Sequence, residues 1–399
     1  MRVLDSLRRP LQGSTARFDR RELAGAFGDL GTFLPLLVGM TVENGLDFAS
    51  GLFFAGLFNV VTGLVFRIPM AVQPMKAIAA VALTEGLRVS EITAAGATVS
   101  AFVLVLGISG LIDRANQLVP KSVVRGLQLA LGLSLLEKGL RMATSTRVVF
   151  GADSYLTAIL AALVVVLLAR SRRVPAALVL LGGAIALAIV SGHALHLSLT
   201  PWWPRWSPPG WQDVVQAFPR AAVPQIPLTT LNSVVAVCAL SADLFPDRAA
   251  SPRRVAISVG LMNLVGACFG AMPLCHGAGG LAGQVAFGAR TNGAVLFLGA
   301  LKMTVAVLFG ATLMEFCRAF PGSILGVLLA ASGIELALVT RDQKTRDDAF
   351  VMLLTAGACT ALHVGAGFVV GMVLAAVMSA APLFSAGGSG VERPRPPHM

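Results

Sequence analysis

Charge is what this sequence has least of. Asp, Glu, Lys and Arg make up 13% of its 399 residues, where a soluble globular domain carries about 25%. With 56% apolar residues, it needs either a very large core or a bilayer. Long apolar runs decide for the bilayer: "AFVLVLGISGLI" within 94–112, "LTAILAALVVVLLA" (156–169) and "PAALVLLGGAIALAIVSG" (175–192). Metal-ligand spacing is missing too. Cys238, Cys268, Cys275, Cys317 and Cys359 all lie in apolar segments and read as small buried side chains, with no metal or cofactor implied. No basic patch is interleaved with aromatics, so the net charge of +11 does not point to nucleic acid. No cleavable signal peptide is expected, because the first apolar run begins near Leu23, behind a basic tail.

The positive charge has another explanation. It clusters at Arg8, Arg9, Arg17, Arg20 and Arg21, at "RSRR" (170–173), at "DRAASPRR" (247–254) and at "TRDQKTR" (340–346). These are short loops between apolar runs, as the positive-inside rule requires of cytoplasmic loops. About fourteen hydrophobic segments can be drawn: 24–40, 50–67, 72–86, 94–112, 120–137, 153–170, 174–192, 226–245, 254–270, 275–289, 292–313, 320–339, 347–361 and 363–382. With the N-terminus inside, each basic cluster falls on the cytoplasmic side. The expected fold is an all-α polytopic membrane protein. It has a cytoplasmic tail over 1–21, a first repeat over 22–192, an extracytoplasmic loop over 193–222, a second repeat over 223–385 and a cytoplasmic tail over 386–399. The loop's "PWWPRWSPPGW" suits the membrane interface.

Two segments, the third and tenth, are short and rich in Gly, Pro and polar residues: "IPMAVQPMKAIAAVAL" (68–83) and "MPLCHGAGGLAGQVAF" (272–287). They align without gaps at an offset of 204, which matches Gly56, Leu57, Asn59, Val61, Pro69, Val81 and Ala82 with identical residues. Seven segments per half is an odd number, so the second copy enters from the opposite side and the repeat is inverted. Irregular backbone at membrane depth survives only against protein or a water-filled cavity. Segments three and ten are therefore expected to be broken, with two helix N-termini facing each other. Each end offers free N–H groups and a partial positive charge, so together they make an anion site.

Gly277, Ala278, Gly279 and Gly280 would let an anion approach the backbone. Gln73 and His276 would donate hydrogen bonds, and Lys76 would add a full charge. Segment one carries Glu22, Asp29 and Thr32; segment eight carries Asn232, Ser233 and Asp243. Thr32, Asn232 and Ser233 are candidates to line the cavity. Ionised carboxylates beside an anion site would repel the ligand, so Asp29, Asp243 and Glu22 are candidates for proton or cation coupling, and the two aspartates also for pairing with Lys76. "AFGDL" and "LSADL" place the two aspartates in matching contexts. A catalytic Cys275–His276 pair is the weaker reading, since neighbours on a chain rarely point at each other and no other motif supports catalysis.

Fourteen segments in inverted sevens resemble the uracil-permease fold of the sulfate permease superfamily. "GLMNLVGACFGAMP…G…GART" and "VPKSVVRGLQLALG" (119–132) look like that superfamily's approach to the tenth segment and its fifth segment. "ELAGAFGDLGTFLPL" (22–36), "PMAVQPMKAIAAVAL" (69–83), "PLTTLNSVVAVCALSADLFP" (227–246) and "MPLCHGAGGLAGQVAFGAR" (272–290) resemble the molybdate transporter family more closely. The resemblance implies high-affinity uptake of molybdate through the plasma membrane. It also implies a core of segments 1–4 and 8–11 moving against a gate of 5–7 and 12–14, and often a homodimer. Tungstate and sulfate are alternative cargoes, and an anion channel or a nucleobase or bicarbonate carrier are alternative uses of the fold. Sulfate permeases carry a C-terminal sulfate-transporter/anti-sigma domain, which is not expected here.

Overall fold

A computed structural model describes residues 16–385 except 147, 170, 172–174 and 191–197. Both expected cytoplasmic tails beyond those limits, most of "RSRR", and the first part of the 193–222 loop lie outside the described residues.

The chain opens with Asp19, whose carboxylate accepts from the amides of Arg21 and Glu22 and so caps α1 (Arg20–Ala26). These amides hold its carboxyl below the usual range. A tight turn over Phe27–Asp29 joins α1 to α2 (Leu30–Asn44). There follow α3 (Phe48–Phe66), the strand β1 (Val72–Pro74), α4 (Lys76–Glu85), α5 (Val89–Ser109), α6 (Ile112–Leu118), α7 (Lys121–Ala143), α8 (Tyr155–Leu168) and α9 (Ala176–Val190). The second half has α10 (Trp211–Ala217), α11 (Val223–Leu228) and α12 (Val237–Leu244), then α13 (Pro252–Ala267), the strand β2 (Leu274–His276), α14 (Ala278–Ala286), α15 (Gly293–Arg318), α16 (Gly322–Leu338), α17 (Arg346–Ala361) and α18 (Val364–Ser385).

Among the described residues, six helical stretches are long and apolar enough to cross a bilayer: Arg20–Asn44, Phe48–Phe66, Val89–Ser109, Trp211–Leu244, Gly293–Gly310 and Gly322–Asp342. The outer surface is apolar as well as the core. Leu64, Val105, Ile159, Val166, Leu167, Leu353 and Val377 all project outward, which is favourable only against lipid. The sequence reading of 193–222 as a loop ends too late, because helix begins at Trp211. It runs to Leu244 as one stretch with π-helical turns at Phe218–Ala222 and Thr229–Ala236. Pro219, Pro224 and Pro227 supply no N–H and crowd the preceding turn, so the ladder loosens there.

The repeat is visible in the helix starts. Phe48 and Pro252 begin α3 and α13, and Val89 and Gly293 begin α5 and α15, each pair 204 apart. Partners cross between halves, α3 on α15 and α13 on α5, while α7 packs on α16. Small residues allow the close approach, as in other membrane bundles. A methyl on Gly56 would lie 2.7 Å from the Gly299 carbonyl oxygen. One on Gly132 would lie 2.7 Å from that of Gly333, and one on Gly139 2.5 Å from that of Gly326. The loop at 198–207 packs on α15, which bends at Phe309: Thr200 and Trp202 donate their amides to the carbonyls of Leu308 and Val307.

Candidate functional site

The two odd segments meet. β1 and β2 form an antiparallel pair with Val72 opposite His276, Gln73 opposite Cys275 and Pro74 opposite Leu274. The all-α expectation thus misses one short ladder, the extended half of each broken segment. Val72 and His276 are themselves 204 apart, so the local two-fold axis passes through this pair. Asn263 pins the second strand: its amide donates to the Leu274 carbonyl at 2.6 Å and its oxygen accepts from the Leu274 amide at 2.6 Å. Its repeat mate Asn59 instead accepts from the buried ammonium of Lys302 at 3.2 Å.

Each strand runs directly into a helix N-terminus, α4 at Lys76 and α14 at Ala278. These ends adjoin a cavity of about 260 Å³. Its wall includes Gln73, Lys76, Cys275, Gly277, Ala278 and Gly279 from the broken segments, and Asn232 and Ser233 from the second π-helical turn. No side chain caps the start of α14, so its first amides are available as donors. Gly279 has nothing within 4 Å of where a Cβ would stand, whereas a methyl on Gly277 would collide with Gln73 Oε1.

Strand alternation settles two neighbours. Cys275 faces the cavity. His276 faces the other way, fully buried, with Nε2 3.0 Å from Ser258 Oγ and Nδ1 3.3 Å from the Ala71 carbonyl. Gly280 also turns from the cavity; a methyl there would lie 2.6 Å from Ala71 Cβ and 2.8 Å from Asp29 Oδ1. Thr32 is half-buried on α2 and does not line the cavity. Asp29 is buried and accepts from Gln73 Nε2 at 2.5 Å. Asp243 is exposed on the last turn of α12, so the matching sequence contexts end in unlike environments. Glu22 accepts from the amides of Arg290 and Thr291, both at 2.7 Å, and ties α1 to the loop before α15.

Three polar lining residues were not singled out from the sequence: Arg125 and Gln128 on α7, and Gln225 on α11. Arg125 is held by Asp342 through Nε at 3.0 Å and Nη2 at 2.6 Å, and donates to Gln128 at 2.7 Å. Gln225 accepts from the amides of Ala77 and Ile78 at the start of α4. Two pointers were present: Arg125 stands within "VPKSVVRGLQLALG", and Gln225 lies between two prolines of a membrane segment.

A family model described as "Molybdate transporter of MFS superfamily" matches residues 21–135 and 217–336. The chain belongs to the molybdate transporter family. It is 40% identical to Molybdate transporter 2 of Arabidopsis thaliana, over 88% of this chain and 87% of that one. It is 35% identical to Molybdate transporter 1 of Chlamydomonas reinhardtii, over 90% and 91%. In fold it is similar to the transmembrane domain of the cyanobacterial bicarbonate transporter BicA, with a TM-score of 0.66 at 15% identity, covering 90% of this chain and 98% of that one. It is also similar to murine Slc26a9, an anion transporter in the inward-facing state, with a TM-score of 0.66 at 14% identity over 96% and 75%. In this molybdate transporter family member, Gln73, Lys76, Arg125, Gln225, Asn232, Ser233 and 277–279 all fall inside the family match.

Proposed function

We propose that the protein is a secondary transporter that takes up molybdate across the plasma membrane, as a multi-pass protein with both termini cytoplasmic. The dianion binds in the cavity between α4 and α14. The observation that carries this reading is the meeting of two helix N-termini at one cavity, with Lys76 in its wall, in a chain of this family. An oxyanion offers acceptors only, so its site must offer donors: the open amides of α14, the Lys76 ammonium, and the side chains of Asn232 and Ser233. No acid lines the cavity among the described residues. The part of the chain holding α3, α4, α14 and α15 moves as a core against a gate built on α7 and α16, and two copies associate as a homodimer. Cys275 packs and does not catalyse. The first repeat spans 22–192, and the second, which opens with the helical stretch that begins at Trp211, runs to 385.

Calorimetry on the purified protein with molybdate, tungstate and sulfate tests the reading. Saturable molybdate binding, competed by tungstate, is expected. Absence of saturable binding of all three sinks it, and a preference for sulfate would reassign the cargo.

A further inference from the structure

The buried contact between Asp29 and Gln73 sets a sign problem for an anion site. Gln73 Nε2 donates to Asp29 Oδ1 at 2.5 Å. Its other amide atom, Oε1, lies against Gly277 at the cavity wall. The side chain thus turns its NH2 group, one N–H of it bound, towards a carboxylate and shows its acceptor towards the place where an oxyanion would sit. Two acceptors facing each other are unfavourable. Turning the amide over cures this but places Oε1 against Asp29, which as a carboxylate accepts only. The turned amide is compatible with one form of Asp29, the protonated acid, whose O–H donates to Gln73 Oε1.

We propose that Asp29 and Gln73 form a proton-linked amide switch that couples the uptake of one proton to the binding of one oxyanion. The switch rests on the reading that the cavity binds an oxyanion. A proton from water bonds to Asp29, and the Gln73 amide rotates about its soft terminal torsion. Nε2 then donates to the bound anion. On release the amide turns back and the proton returns to water; no other bond changes.

The surroundings of Asp29 leave it as the group free to switch. Its second oxygen, Oδ2, accepts no hydrogen bond among the described residues. The cations acting on it are Lys302 and Lys76. Lys302 is buried, donates to Asn59 and stands 3.7 Å over the ring of Phe33, while Lys76 belongs to the cavity wall. The Cys275 thiol is also within electrostatic reach. On α1, Glu22 is engaged by the amides of Arg290 and Thr291, and Arg20 and Arg21 are exposed. On α2, Glu43 pairs with Lys138. α14, packed on the Phe27–Asp29 turn, carries no titratable side chain. His276 is bound on the opposite face of the strand pair.

The experiment is molybdate binding to the purified full-length protein by calorimetry at an acid and a neutral pH, for wild type, Asp29→Asn and Gln73→Met. Wild-type affinity should tighten as pH falls, by up to about tenfold per pH unit, the limit for one linked proton. Asp29→Asn, whose amide donates to Gln73 Oε1 at any pH, should bind molybdate with that pH slope removed. Gln73→Met should bind more weakly and also lose the slope. Protonation of molybdate itself enters all three proteins equally, so the difference between them isolates the switch. A wild-type slope in either variant overturns the switch, and so does a flat response in wild type that still binds. If Asp29→Asn does not fold, Gln73→Met decides alone. No binding by wild type at either pH overturns the oxyanion reading itself, and the switch falls with it.

Discussion

The side-chain oxygen of Gln225 sits 2.9 Å from the backbone nitrogen of Ala77 and 3.3 Å from that of Ile78. It occupies two of the donors that the start of α4 would otherwise offer, as an oxyanion oxygen would, while Gln225 Nε2 donates to Thr229 at 2.9 Å. The two half-helices are therefore unequal: α4 is plugged by a neutral acceptor, and α14 is open.

Replacing that acceptor with a charge tests how near it lies to the ligand. Gln225→Glu should weaken molybdate binding by at least about tenfold, ~1.4 kcal/mol, through repulsion of the dianion. Gln225→Ala, which frees the two amides, should bind as tightly as wild type or more so. Calorimetry on both variants checks this; wild-type affinity in Gln225→Glu would place the ligand elsewhere.

Lys76 and Cys275 share the cavity wall and should separate sharply. A charge-assisted hydrogen bond contributes about 1.5–3 kcal/mol, so Lys76→Ala should weaken oxyanion binding by about 10- to 100-fold. Cys275→Ala removes a small apolar group and should change the affinity by well under about tenfold. Equal losses in the two variants would refute the role given to the ammonium.

Gly279 allows stability and binding to be pulled in opposite directions. Nothing lies within 4 Å of its Cβ position, and alanine is favoured over glycine in a helix by about 1 kcal/mol. Gly279→Ala should leave the melting temperature unchanged or raised while lowering molybdate affinity, and Gly279→Val should abolish binding. Thermal melts in detergent beside calorimetry decide; retained affinity in the valine variant speaks against approach of the anion to the start of α14.

The ion pair opposite should act on stability and transport together. Arg125 is buried and held bidentately by Asp342, which also takes Lys121 at 2.7 Å. Removing one partner of a well-buried pair costs about 3–5 kcal/mol; Asp342 is one-third exposed, so the lower end or less applies. Asp342→Asn should lower the melting temperature and molybdate uptake into proteoliposomes, and Arg125→Lys should not restore uptake, lacking the planar fork. Unchanged melting and uptake in Asp342→Asn would show that the pair is idle.

Membrane class, the broken segments and their two-fold relation were legible, because they follow from apolar run length, from Gly and Pro at membrane depth, and from an offset that survives in the chain. The facing of side chains was not. His276 and Cys275 are adjacent letters, and only the strand register tells which one meets the cavity. The aspartates of "AFGDL" and "LSADL" read alike, yet one is folded under Gln73 and the other stands at a helix end, a difference made by tertiary packing. Gln225 was not legible either, because its role depends on α11 lying across the start of α4, a contact between residues 148 positions apart.

The paired glycines have a mechanical consequence. Where backbones interlock, as Gly132 with Gly333 and Gly139 with Gly326, or Gly56 with Gly299, helices are riveted: sliding would drive carbonyl oxygens into one another. Three such rivets, α7 to α16, α3 to α15 and α5 to α13, tie helices into fixed pairs. The cavity lies between helices of different pairs, with Leu228 on α11 and Leu336 on α16 both in its wall. A displacement that turns the cavity from one face of the membrane to the other is therefore expected to move these pairs as units rather than to slide the helices within them.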